Sequence, residues 1–285
     1  MKWQNLAVAL VILLTGCTST FVYNRLDTLV AWYLEGLVTL DQRQRADLRE
    51  WLGETLDWHR DSELERYAQF VRVLADQSAT PADRTTFESA EEQFREFTAN
   101  VARRSAPDAA KLILDLSDRQ VEELTANLEE QGQERLAKEK KLLSKGKWHD
   151  RRAKQITKQF RRWVGDTNPE QQALIRDTSQ KLEPSYPEWL ESQRAWRAAL
   201  RTSLAKRHQN ASAAAAELTG LLTDPDRFWT DAYRRKLEAN RARTLSLLLE
   251  LNASLSTQQR GELQRRLTKF AEELESLAHN PNSAT

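Results

Sequence analysis

One cysteine, one methionine, eight glycines and seven prolines in 285 residues narrow the options for this chain at once. A lone cysteine, Cys17, rules out an internal disulfide. So few glycines leave little room for a phosphate-cradling loop, and no Gly-x-Ser-x-Gly elbow, Walker loop or dinucleotide fingerprint occurs. An excess of either charge is also missing, with 43 basic against 42 acidic groups. Setting aside residues 1–16, which hold one charge, Lys2, leaves 42 against 42, so no overall field draws nucleic acid or acidic polymers. The apolar run Leu6–Leu14 has nine residues, against the ~20 that a membrane-spanning helix needs. No stretch alternates β-branched and polar residues as a half-buried strand would.

What is present begins with Leu14-Thr15-Gly16-Cys17 directly behind that run, with Lys2 ahead of it. This reads as a lipobox. Small residues admit a signal peptidase at Gly16–Cys17, and the Cys17 thiolate takes a diacylglyceryl group. The competing reading of a lone cysteine is a buried apolar residue. The expectation is a signal peptide over 1–16, a short lipid-anchored tether over 17–23, one helical domain over 24–279 and a tail over 280–285. The domain has a possible subdivision near 165–187. Several acyl chains on one terminus exceed what stable anchoring needs, at about 0.8 kcal/mol per buried methylene. Thr18, rather than Asp, favours the outer membrane facing the periplasm, with the inner membrane as the alternative.

The fold class expected is all-α, an elongated irregular bundle of about eight to ten helices, several of them long. Leu26, Leu29, Val30, Tyr33 and Leu37 mark the first helix. A stripe from Leu48 through Trp51, Leu52, Leu56, His59, Leu64, Tyr67, Val71 and Leu74 predicts one helix of ~50 Å opened by Asp41. Phe87, Ala90, Phe94, Phe97 and Val101 mark a third, Pro107 is expected to begin a short one, and Ser117 a long one running towards Val164 with weak points at Gly132 and Gly146. Further helices are expected from Asn168, around Trp189–Leu204, over Ala211–Leu222, after Asp224-Pro225 and from Ser256.

Four of these starts share one design: Asp41 with Gln44, Ser117 with Gln120, Asn168 with Gln171, and Ser256 with Gln259. In each, a short polar N-cap side chain can accept from the N3 amide while the N3 glutamine reaches back, for ~1 kcal/mol per cap. Irregular spacing of the four argues against a solenoid. The copies at Leu116 and Leu255 also resemble the Leu-Thr-x-x-Gln motif of small periplasmic helical stress chaperones, with Ser for Thr; a capping box explains the same letters without kinship. A closer resemblance is to a family of uncharacterised proteobacterial lipoproteins. It is carried by Tyr23-Asn24-Arg25-Leu26-Asp27, by Leu40-Asp41 with Gln44, and by Trp58-His59-Arg60 followed by Glu63-Leu64, and is best over residues 17–75. It implies a secreted, lipid-anchored helical domain and brings no activity with it.

Two features bear on chemistry. His59 and Glu63 lie one turn apart, which reads first as a hydrogen bond on a half-buried face and second as half of a metal or hydrolase site lacking further ligands. Residues 115–134 have a net charge of −6, whereas eleven bases between Lys138 and Arg162 face Glu139 and Asp150 for a net of +9. One reading is a single long helix whose charges complement its macrodipole. The other is a cationic face for anionic lipid or lipopolysaccharide. It would be made by Lys138, Lys140, Lys141, Lys145, Lys147, Arg151, Arg152, Lys154, Lys158, Arg161 and Arg162, with Trp148 at the interface. Trp32, Trp51, Trp58, Trp148, Trp163, Trp189, Trp196 and Trp229 fit either a closed core or an apolar binding groove. The expected function is a non-enzymatic scaffold or interaction protein with no metal and no cofactor. Its partners are the membrane, through the anchor, and an envelope protein, not nucleic acid. A holdase for unfolded envelope clients is the main rival, and an enzyme using His59 with carboxylates the third reading.

Overall fold

A computed structural model describes residues 23–279; the lipobox residues Gly16 and Cys17 lie outside them. The described residues are all-α, with eleven α-helices, one 3-10 turn and no strand. In chain order these are α1 Leu26–Glu35, α2 Gln42–Ser62, α3 Leu64–Gln77, α4 Arg84–Leu114, α5 Asp118–Ser144 and α6 Trp148–Val164. They are followed by α7 Pro169–Lys181, α8 Tyr186–Ala205, α9 Ala211–Thr223, the 3-10 turn Pro225–Phe228, α10 Asp231–Ala253 and α11 Thr257–His279. None of them is long and apolar enough to cross a membrane.

The four expected caps form as full boxes. Asp41, Ser117 and Asn168 each accept from the amide three residues on, and the glutamine there accepts from the cap's own amide. Ser256 and Gln259 make the same two bonds at 3.2 and 3.1 Å. The boxes then meet in pairs. Gln44 and Gln120 exchange side-chain amide bonds of 3.1 and 2.6 Å, and Gln171 and Gln259 exchange bonds of 2.9 and 3.0 Å. Each glutamine also donates to the carbonyl two residues ahead of its partner's cap: Gln44 to Asp115, Gln120 to Thr39, Gln171 to Ser254 and Gln259 to Asp166. The hairpin α1–α2 is thereby joined to α4–α5, and α6–α7 to α10–α11, by one pseudo-symmetric device used twice.

The helix limits depart from the sequence expectation in three places. The stripe after Asp41 is divided into two helices at the single residue Glu63, which stays in the right-handed helical region at φ −110° while its carboxylate accepts from Arg66 and from Asn100 of α4. Pro107 does not begin a helix; it lies inside the 31-residue α4, where Ala106, Ala109 and Ala110 are buried against Leu218, Leu221 and Leu222 of α9. That burial holds a helix which a proline alone would tend to break. The long helix from Ser117 stops at Ser144, and Gly146 takes a φ of +64° that favours glycine, whereas Gly132 stays helical. Gly132 is instead a contact point: an added Cβ would stand 2.7 Å from Leu190 Cδ1 of α8.

The core is divided among four clusters. The largest joins α1, α2, α4, α5, α8 and α9. A second packs α3 along α11 through Leu64, Ala68, Val71, Ala271, Leu274 and Leu277, with Tyr23 beside them. Smaller ones sit between α6, α7 and α10 around Ile175, and around Trp189, Leu190 and Tyr233.

Candidate functional site: an apolar cavity

The helices of the largest cluster do not close completely on one another. They surround a cavity of about 330 Å³, lined by α1, α2, α4, α5, α8, the end of α9 and the 3-10 turn. Leucines form much of the wall, and Trp51, Trp189, Trp196 and Trp229 converge on it from α2, α8 and the segment after the 3-10 turn. Interiors rarely hold voids larger than a water, and ligand pockets begin near this size.

The few polar groups on the wall are unequally satisfied. Trp196 Nε1 donates to the Leu221 carbonyl at 2.9 Å, while the buried Trp51 Nε1 has no partner. Arg197, 6% exposed, pairs with Glu129 of α5, and Arg194 bonds the same carboxylate. Asp226 of the 3-10 turn is pushed up to a pKa of about 6, first by burial and then by Asp224.

His59 also borders the cavity but is not the half of a His-Glu pair that the sequence suggested. It is 2% exposed, and its Nδ1 is 2.9 Å from the Tyr23 hydroxyl. Glu63 bonds Arg66 and Asn100 instead. Burial, followed by Arg60, lowers the His59 pKa to about 4, so the ring is neutral and Tyr23 can donate to it. Trp58, Tyr67 and Phe97 complete an aromatic cluster around the pair. Among the described residues no group of three or more His, Cys, Asp or Glu side chains is placed to hold a metal.

The cationic segment is split between the end of α5 and α6, so a single helix macrodipole does not order its charges. Lys138 pairs with Glu134 and Arg161 with Asp166, and Arg162 is half-buried beside Arg266. Lys140, Lys141, Lys145, Lys147, Arg151, Arg152, Lys154 and Lys158 are exposed and have no ion pair among the described residues. Trp148 does not face outward with them. It donates to Glu139 at 2.7 Å and meets His149 edge-on, while Trp163 packs on Phe270.

A family profile spans residues 36–234, which takes in the cationic segment and the cavity walls other than those of α1. The chain belongs to DUF6279, a family of unknown function. The match reaches well beyond residues 17–75, where the sequence resemblance was strongest, and starts after Tyr23–Asp27. No curated protein and no solved structure matches the chain.

The cavity was missed from sequence for a physical reason. Leu48, Trp51, Leu52 and Leu56 on α2, and Trp189, Trp196 and Leu200 on α8, follow helical periodicity, which looks the same whether the stripe meets a packed partner or an empty space. The cluster of large aromatics was the one available signal.

Proposed function

We propose that this chain is a non-enzymatic binding protein of the bacterial envelope, held by acyl groups on Cys17 at the periplasmic face of the outer membrane, whose helical bundle receives a hydrophobic ligand. The observation that carries the reading is the 330 Å³ cavity walled by four tryptophans. An apolar molecule seated there would bury its surface against leucine and tryptophan side chains, at about 25 cal/mol per Å² removed from water. The lipobox at Leu14–Cys17 supports the address, and DUF6279 membership leaves the activity open.

The holdase alternative calls for a broad exposed apolar face. The large exposed apolar side chains among the described residues are Leu29, Trp32, Val73, Leu143 and Leu248, drawn from four different helices. An interior site fits this distribution better than a client-binding surface. The test is uptake of N-phenyl-1-naphthylamine by the full chain carrying Cys17→Ser, made by cell-free synthesis without detergent. Fluorescence enhancement and quenching of tryptophan emission are expected, with uptake reduced about ten-fold by Leu128→Trp, which fills the cavity. No uptake, or equal uptake by a folded Leu128→Trp protein, would refute the reading.

A further inference from the structure

Among the described residues, Arg197 is the one cation on the wall of the cavity, which also holds Asp115, paired with Arg43, and Asp226. Arg197 on α8 is 6% exposed, and its Nη2 pairs with Glu129; the remaining N–H groups of the guanidinium have no protein acceptor among the described residues. A guanidinium keeps its charge at all accessible pH, and none of these N–H groups is among the fully buried atoms left without a partner, so they are open to an acceptor from outside the protein. Glu129 is already shared, because Arg194 Nε and Nη2 both reach its Oε1 at 3.1 and 3.0 Å. One turn further along α8, Arg201 Nε and Nη2 converge on the Thr125 hydroxyl and have no carboxylate partner.

These arginines lie at a second, polar hollow on the outer side of the α5–α8 seam. Arg197 is the one residue that borders both that hollow and the apolar cavity. Three arginines there face Glu129 and Glu130, a net charge of +1. An apolar chamber and a cationic rim with free donors, meeting at one side chain, match a molecule with a long tail and a single negative head.

Resting on the binding function proposed above, we propose that the ligand is a single-chain anionic amphiphile, its tail in the cavity beside Trp189, Trp196 and Leu200 and its head on Arg197. At about 330 Å³ and partly open to solvent, the cavity has room for a hydrocarbon chain, and a dodecyl tail is a suitable probe. A planar carboxylate suits the two-pronged guanidinium, and a phosphate monoester would be accepted by the same donors.

The experiment compares dodecanoate, dodecanol and dodecanoyl lysophosphatidate as displacers of N-phenyl-1-naphthylamine from the same full chain. One or both anions are expected to bind at least about ten-fold more tightly than the alcohol, and the tighter of the two identifies the source of the head. Arg197→Met should bring acid and alcohol to equal affinity, and Arg197→Lys should keep part of the preference. Equal affinity of acids and alcohol for the unsubstituted chain overturns the inference while leaving the binding function standing. That comparison needs no substitution, so it stands even where Arg197→Met fails to fold. Failure of every ligand and of the dye refutes both.

Discussion

At the scale of single residues, the buried His59–Tyr23 pair makes stability depend on pH. Burial holds His59 neutral with a pKa of about 4, against about 6.5 in an unfolded chain. Between those values the unfolded chain takes up a proton that the folded one refuses. Stability from this group is therefore complete above about pH 6.5 and falls as the pH drops towards 4, by about 3 kcal/mol at the limit. Asp226 acts in the opposite sense. Its pKa is raised to about 6, so its contribution is greatest at low pH and is lost as the pH rises through that value. Comparison with a variant separates the two. His59→Gln is expected to lose about 2 kcal/mol near pH 7, where the Tyr23 hydroxyl loses its partner, and to show a flatter decline towards about pH 5. Urea unfolding at both pH values measures this, and parallel pH profiles for the two proteins would refute the assignment. The sequence singled out His59, but its partner is 36 residues away and its true environment is aromatic.

At the scale of elements, the helix starts were legible and their pairing was not. Capping boxes are local, since cap and glutamine are three residues apart and the chemistry is written in the letters. That Gln44 would find Gln120, and Gln171 find Gln259, depends on which hairpins dock, and no local rule encodes that. Gln171 is fully buried and Gln259 nearly so, so the second pair is the more exposed to loss. Gln171→Ala and Gln259→Ala should each cost about 2 kcal/mol, since each removes a cap bond and leaves buried amide groups unpaired. A double-mutant cycle should return about 1 kcal/mol of coupling, measured by denaturant unfolding. Strict additivity would mean that the reciprocal bond contributes nothing. The same limit explains Pro107 and Gly146. Local rules give proline a break and glycine a weak point, yet burial against α9 overrode the first and a left-handed turn realised the second.

For the whole molecule, the proposed tether and the cationic segment together predict an orientation. Eight exposed lysines and arginines without ion pairs among the described residues lie between the end of α5 and α6, and this segment is expected to meet anionic surfaces on electrostatic terms, its tryptophans being turned inward. Each such cation contributes about 1 kcal/mol near an anionic bilayer. The full chain with Cys17→Ser should bind vesicles containing phosphatidylglycerol, weaken steeply with added salt, and lose about ten-fold in affinity on Lys→Gln and Arg→Gln change at Lys147, Arg151, Lys154 and Lys158. Salt-independent binding, or none, would refute this electrostatic contact. Mass spectrometry of the envelope-derived protein then reads the tether itself, and an unmodified Cys17 would remove the proposed address.

The sequence by itself determined the helical class and the positions of the caps, because periodicity and capping chemistry act within a few residues. Only the tertiary structure decided where those helices fail to meet. A stripe of leucine and tryptophan specifies that a face is buried, and says nothing of whether the opposing face comes close enough to fill the space. That distance is set by how the paired hairpins dock, through contacts 70 to 90 residues apart, and it left a chamber with Arg197 on its wall.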